Sequence, residues 1–106
     1  MAIFNVMKQE NINAGVERYR ETPGAVLLDV RSPQEYQGGH IPGSRNLPLQ
    51  DITRVGEILP DKEVPLFVYC QSGARSKRAA GFLEKVGYRN VSNLGGIASY
   101  SGQVQR

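Results

Sequence analysis

The chain of 106 residues holds one cysteine, and its surroundings are those of a reactive thiol. Cys70 ends the apolar run Leu66–Tyr69, the small-residue loop Gln71-Ser72-Gly73-Ala74-Arg75 follows, and a helical pattern begins at about Ser76. Strand, thiol, glycine-containing turn and helix, in that order, lead backbone N–H groups around a sulfur at a helix N-terminus. The helix dipole and nearby cations favour the thiolate there, and a thiolate is a nucleophile. The pattern therefore predicts covalent chemistry at Cys70, with the sulfur accessible at the bottom of a small electropositive pocket. Gln71, Ser72, Gly73 and Ala74 are expected to act through backbone N–H groups converging on a bound anion. The guanidinium fork of Arg75 suits an oxygen of an anionic substrate or steadies the thiolate. Ser76 reads equally as a helix-start hydroxyl or as a hydrogen-bond donor to the sulfur. Arg75, Lys77 and Arg78 crowd a first helical turn, where the dipole disfavours cations. Attraction of an anion explains that placement and local stability does not.

Other chemistry-bearing residues have plainer readings. His40 is the one histidine and sits in Gly38-Gly39-His40-Ile41-Pro42-Gly43, a turn by composition. There an imidazole caps backbone carbonyls, and an already ionised thiol needs no general base. Asp29, Arg31 and Glu35 are expected to form a local ion pair and helix cap; a general acid at Asp29 is the sharper alternative. One cysteine excludes an internal disulfide, a two-cysteine redox pair and a four-cysteine zinc site, and one histidine leaves too few soft ligands for a mixed metal site. No cofactor is expected. The formal charge of +3 comes from cations scattered along the chain without interleaved aromatics, which argues against a nucleic-acid surface. No apolar stretch approaches the length of a membrane helix. The opening residues lack the features of a signal peptide. The expectation is a reduced, cytoplasmic protein with no membrane partner.

The elements that must position Cys70 follow from patterning. The length fits one domain over residues 1–106. Ile3–Met7 reads as a short strand and Ile12–Glu21 as a helix with Ile12, Val16 and Tyr19 on one face. Ala25–Val30 is apolar on both faces, as a buried parallel strand is. Ser32-Pro33 opens a short helix through Tyr36, Asn46–Leu49 is briefly extended, and Asp51 caps a helix through Leu59. Leu66–Tyr69 is the second buried strand. The next helix carries Ala79, Phe82 or Leu83, and Val86, and stops at Gly87. Val91–Leu94 is a last strand, Gly95-Gly96 a turn and Ile97–Val104 a terminal helix. Alternation of strands and helices gives a parallel α/β sheet, whose ligands gather at strand carboxyl ends. Cys70 lies at one such end and Asp29–Arg31 at another.

Leu28-Asp-Val-Arg-Ser-Pro-Gln-Glu-Tyr-Gln-Gly-Gly-His-Ile-Pro-Gly-Ser-Arg-Asn-Leu-Pro48 resembles the signature of rhodanese domains, and Cys70-Gln-Ser-Gly-Ala-Arg-Ser76 resembles their active-site loop. Gly95-Gly96-Ile97, with Tyr100 where many members carry tryptophan, is similar to their closing motif. The resemblance spans nearly the whole chain with the three motifs in order. It implies a rhodanese-like α/β fold, a five-stranded, mostly parallel sheet flanked by helices. It also implies a thiosulfate:cyanide type of sulfurtransferase: Cys70 takes sulfane sulfur from a small anionic donor such as thiosulfate and passes the persulfide sulfur to a thiophilic acceptor, cyanide or a thiol, including a protein thiol. Two rivals share the fold, a non-catalytic binding module and a cysteine phosphatase or arsenate reductase. Cys70 and Arg75 have four residues between them, whereas the similar phosphatase loops have five, which favours an amide ring sized for a single outer sulfur.

Overall fold

The computed structural model describes residues 8–106; the expected strand Ile3–Met7 lies outside them. In chain order the elements are β1 (Lys8–Gln9), α1 (Ile12–Glu21), β2 (Val26–Asp29), α2 (Pro33–Gln37), β3 (Arg45–Asn46), a 3-10 segment (Leu49–Arg54), α3 (Val55–Ile58), β4 (Leu66–Cys70), α4 (Ala74–Lys85), β5 (Val91–Gly96) and a 3-10 turn (Ile97–Ser99). The strands form one sheet ordered β1-β5-β4-β2-β3, and every pairing is parallel. The five-stranded sheet that the resemblance implies is present in reduced form. β2, β4 and β5 carry it, while β1 and β3 add two residues each at its edges. No helix among the described residues is long and apolar enough to cross a membrane.

β4 lies in the middle with all five residues buried. Side chains alternate across a strand, so β4 divides the core. Leu66, Val68 and Cys70 join Leu28, Val30, Ile52, Val55, Ala79 and Leu83 on the face covered by α4 and the Leu49–Ile58 region. Phe67 and Tyr69 join Leu27, Ile41, Ile12 and Val16 on the α1 face. Burying a leucine or phenylalanine side chain contributes about 1.5–3 kcal/mol, so both layers are needed. Cys70 thus enters the structure as the last rung of the α4-facing row.

Several local expectations are corrected. α4 starts at Ala74 rather than Ser76, because Gly73 takes a left-handed φ of 109° and turns the chain straight from loop to helix. Asp51 caps nothing: with φ of Pro48 already restricted, a turn forms from Asp51 N–H to Pro48 C=O (2.8 Å), starting a 3-10 segment ahead of it. Gly95-Gly96 is strand, not turn. Val68 pairs with Asn93 and Tyr69 with Gly95, so Leu94 is skipped, and Gly95 absorbs the bulge at φ 84°. The helix expected over Ile97–Val104 is a single 3-10 turn. The Asn13 side chain donates to Ser99 C=O (3.1 Å) and accepts from Ser101 N–H (2.8 Å), which draws the chain onward in extended form.

Candidate active site

Cys70 closes β4 at the carboxyl edge of the sheet, one residue after the register shift against β5. The chain then reverses through Gln71–Gly73 into α4, and the Gly73 N–H points back at Cys70 Sγ, 3.0 Å away. A β-carbon on Gly96 would lie 2.6 Å from Ser72 Cα and nearer still to Gln71 O. The loop therefore rests directly on the backbone of β5, and only glycine leaves room for it. The Ala98 N–H donates to Gln71 C=O (3.1 Å) and fixes the same contact. The motif resemblance singles out Gly95-Gly96-Ile97. That this segment is the floor of the cysteine loop follows only from the long-range pairing of β4 with β5.

The electrostatics of the thiol are a contest. Burial pushes Cys70 up, and hydrogen bonds from the Ser76 hydroxyl and from the N–H groups of Ser76, Gly73 and Ser72 outweigh it, leaving the thiol below its ordinary value. The Ser76 hydroxyl, fully buried, also lies 3.1 Å from Gly73 C=O and 3.4 Å from Gly95 C=O. Its one proton serves one acceptor at a time, so donation to either carbonyl competes with donation to the Cys70 sulfur. Cys70 as a whole is 1% exposed. Cys70 is thus covered by its loop instead of lying open at a pocket floor as expected.

Gln71 and Ser72 are exposed, as is Ala74, and their small or flexible side chains leave the loop rim to the backbone. Arg75 is placed differently from the expectation. Its two terminal nitrogens form a paired bond to the Glu35 carboxylate, at 2.7 and 2.9 Å. Glu35 in turn belongs to the capping box of α2 with Ser32. The Arg75 hydrogen bond first, then those from Ser32, hold the Glu35 carboxyl down at about 2 against the opposing effect of burial. The predicted grouping of Asp29, Arg31 and Glu35 is therefore split. Asp29 and Arg31 form a buried pair at 2.7 Å on the Tyr69 side, while Glu35 reaches the cysteine loop. Arg31 also donates to Gly39 C=O (2.8 Å) and to the Gln71 side-chain oxygen (3.3 Å), tying the signature turn to the loop. Asp29 has its oxygens committed to Arg31 and is not placed as a general acid.

His40 behaves as the turn context predicts. Its ring stacks on Tyr36 at 3.8 Å, and Nδ1 lies 2.9 Å from Tyr36 C=O, which makes Nδ1 the protonated nitrogen. Its backbone pairs with Gln105 in both directions. Among the described residues no cluster of histidine, cysteine and carboxylate side chains could hold a metal. A groove of about 570 Å³ adjoins the site, lined by Val30, Pro33, Leu49, Ile52, Phe82 and Arg75 among others. Nothing in the sequence signals it, because it is assembled from three separate segments, Val30–Pro33, Pro48–Ile52 and the α4 residues Arg75, Arg78 and Phe82.

The central strand of a parallel α/β sheet thus delivers a cysteine to the N–H groups of the loop that follows it, a setting that favours the thiolate. The rhodanese-like domain family matches residues 13–103, and the chain belongs to that family. It is 42% identical over 105 residues to the uncharacterized protein YqhL of Bacillus subtilis, covering 97% of this chain and 77% of that one. It is 39% identical over 71 residues to the thiosulfate sulfurtransferase PspE of Escherichia coli, covering 66% of this chain and 68% of PspE. Among solved structures, a rhodanese with anions from E. coli superposes with a TM-score of 0.72 at 34% identity, over 77% of this chain and 98% of that one.

Proposed function

We propose that the chain is a sulfurtransferase forming one rhodanese-like domain over residues 1–106, with Cys70 as the residue that carries sulfur. The observation that supports this most directly is the Gly73 N–H aimed at Cys70 Sγ at 3.0 Å, from a loop that also lowers the thiol's pKa. The family membership and the name of PspE support the same reading. With thiosulfate as donor, the Cys70 thiolate attacks the outer sulfur. The S–S bond breaks, and sulfite leaves with its electron pair. The resulting persulfide is held by the amides of Ser72, Gly73 and Ser76, with Gln71, Ala74 and Arg75 completing the rim. A thiophilic acceptor then takes the terminal sulfur: cyanide leaves as thiocyanate, or a thiolate, small or on a protein, leaves as a persulfide. Cys70 returns as thiolate, so no net redox partner or cofactor is required. A lone cysteine stays reduced in a reducing compartment such as the cytoplasm, and that setting is part of the proposal.

Intact mass after treatment with thiosulfate tests the reading, with peptide mapping to place the added atom. The expected result is one extra sulfur on Cys70, its removal by cyanide, and complete loss of turnover in Cys70→Ser, since a serine oxygen cannot carry a persulfide. Cys70-dependent hydrolysis of an aryl phosphate without sulfur loading would replace this reading with a phosphatase.

A further inference from the structure

Arg75 stands at the rim of the cysteine loop, yet its charge is matched by Glu35 through two short bonds. Arg75 and Glu35 are each about one-third exposed, at 37% and 34%, so an approaching anion meets the pair and not an isolated cation. The groove beside them is mostly apolar, walled by Val30, Pro33, Leu49, Ile52 and Phe82, and it adds one further cation, the exposed Arg78. Its volume of about 570 Å³ lies in the range of sites for organic ligands and far exceeds what a bare inorganic anion fills. Val30 and Ile52 in that wall share a buried cluster with Cys70, against which Leu49 and Phe82 pack, so the groove and the sulfur lie on the same face of the sheet.

The geometry points to Glu35 as a specificity-determining residue: by neutralising Arg75 it tunes the Cys70 loop toward organic sulfane-sulfur donors of single negative charge, whose apolar bodies lie in the groove, and away from the small dianion thiosulfate. This deepens the sulfurtransferase reading and rests on it. The electron accounting is unchanged. Cys70 thiolate takes the outer sulfur of a thiosulfonate, and the organic sulfinate leaves with the electron pair of the broken S–S bond. One full charge on Arg78 matches one charge on the ligand, and the apolar wall has nothing to offer a second.

The test compares benzenethiosulfonate, a monoanion, with thiosulfate in the wild type, Glu35→Gln, Arg75→Ala and Glu63→Gln. The wild type should favour benzenethiosulfonate in kcat/KM. Glu35→Gln leaves Arg75 unmatched and should lower the thiosulfate KM about threefold, the size expected for one partly screened charge. Arg75→Ala leaves Glu35 unmatched and should raise it. Benzenethiosulfonate should respond less to both. Glu63→Gln removes an exposed carboxylate paired with Arg89, away from the groove, and should leave the ratio of the two KM values unchanged. A merely structural ion pair would move both partners' variants in the same direction, and that outcome overturns the proposal, as does a wild-type preference for thiosulfate. Salt supplies a second reading: it should raise the thiosulfate KM more steeply in Glu35→Gln than in the wild type, and equal slopes also overturn the proposal. Mass spectrometry on each protein separates the two levels. Sulfur loading of Cys70 with unmoved KM ratios defeats only the role of Glu35, whereas no loading by either donor defeats both readings.

Discussion

The two neighbouring strands of this sheet end in loops of opposite character. At the end of β2 and after it come Asp29, Arg31, Glu35 and His40, four residues whose types suggest catalysis, and all four are spent on one another, on the backbone or, for Glu35, on Arg75 as well. Asp29 and Arg31 bind each other in the core, Arg31 also holds Gly39, and His40 holds Tyr36. After β4 comes a run of glutamine, serine, glycine and alanine, with little to offer as side chains, whose amides converge on the one thiol. A side chain's chemistry is available only when its partners have not already consumed it. The alternation of each strand sorts the two loops onto different faces: Asp29 shares its side with Leu27 and Tyr69, Cys70 with Val68 and Val30.

The comparison can be broken at several points. The largest effect is expected from Asp29→Ala, which leaves the Arg31 guanidinium buried at 4% exposure without its carboxylate. Removing one partner of a buried pair costs about 3–5 kcal/mol, read as a lower denaturation midpoint. If activity collapsed with stability intact, Asp29 would belong to the chemistry and the contrast would fail. Gly96→Ala should come next, costing about 1–3 kcal/mol by forcing the loop off its floor. It should lower sulfur loading of Cys70 more than stability alone explains, and unchanged loading would show that the contact does not shape the cradle.

Ser76→Ala removes the largest of the contributions that lower the Cys70 thiol, so its titration should move upward. Thiolate fraction rises with pH through the thiol's pKa, so the wild type should reach full thiolate at a lower pH than the variant. Ultraviolet absorbance of the thiolate reads both curves, and coincident curves would remove Ser76 from the account. The smallest effect is expected from His40→Gln. Turnover and its pH profile should stay near those of the wild type, with a stability loss of about 1 kcal/mol for the hydrogen bond and stacking. Loss of an ionisation from the pH profile would make His40 a base after all.

Legibility in the sequence followed the range of the interactions. β2 and β4 were evident because a strand covered on both faces must be apolar throughout, and α1 because Ile12 and Val16 repeat at helical spacing. Ser32-Pro33 announced α2 because a cap acts within three residues. What stayed hidden depends on contacts between distant segments. Asn13 ends the last helix 86 residues away along the chain. Glu35 meets Arg75 across 40 residues, and the bulge at Gly95 exists only opposite β4. For the site, the cysteine loop and its helix were readable. The covering of Cys70, the floor at Gly96 and the groove were not, since none has a local pattern.

The hydrogen bond from Gly73 to sulfur has a spectroscopic consequence. That amide proton sits on the sulfur that the proposed transfer uses, so its nuclear magnetic resonance frequency should follow the state of Cys70, with separate positions for thiol, thiolate and the proposed persulfide. The Ala98 amide, bonded to Gln71 C=O on the far side of the same loop, should keep a nearly constant frequency and slow hydrogen exchange. Two amides 25 positions apart thus form a built-in probe and reference, by which sulfur occupancy could be followed in real time without any label beyond nitrogen-15.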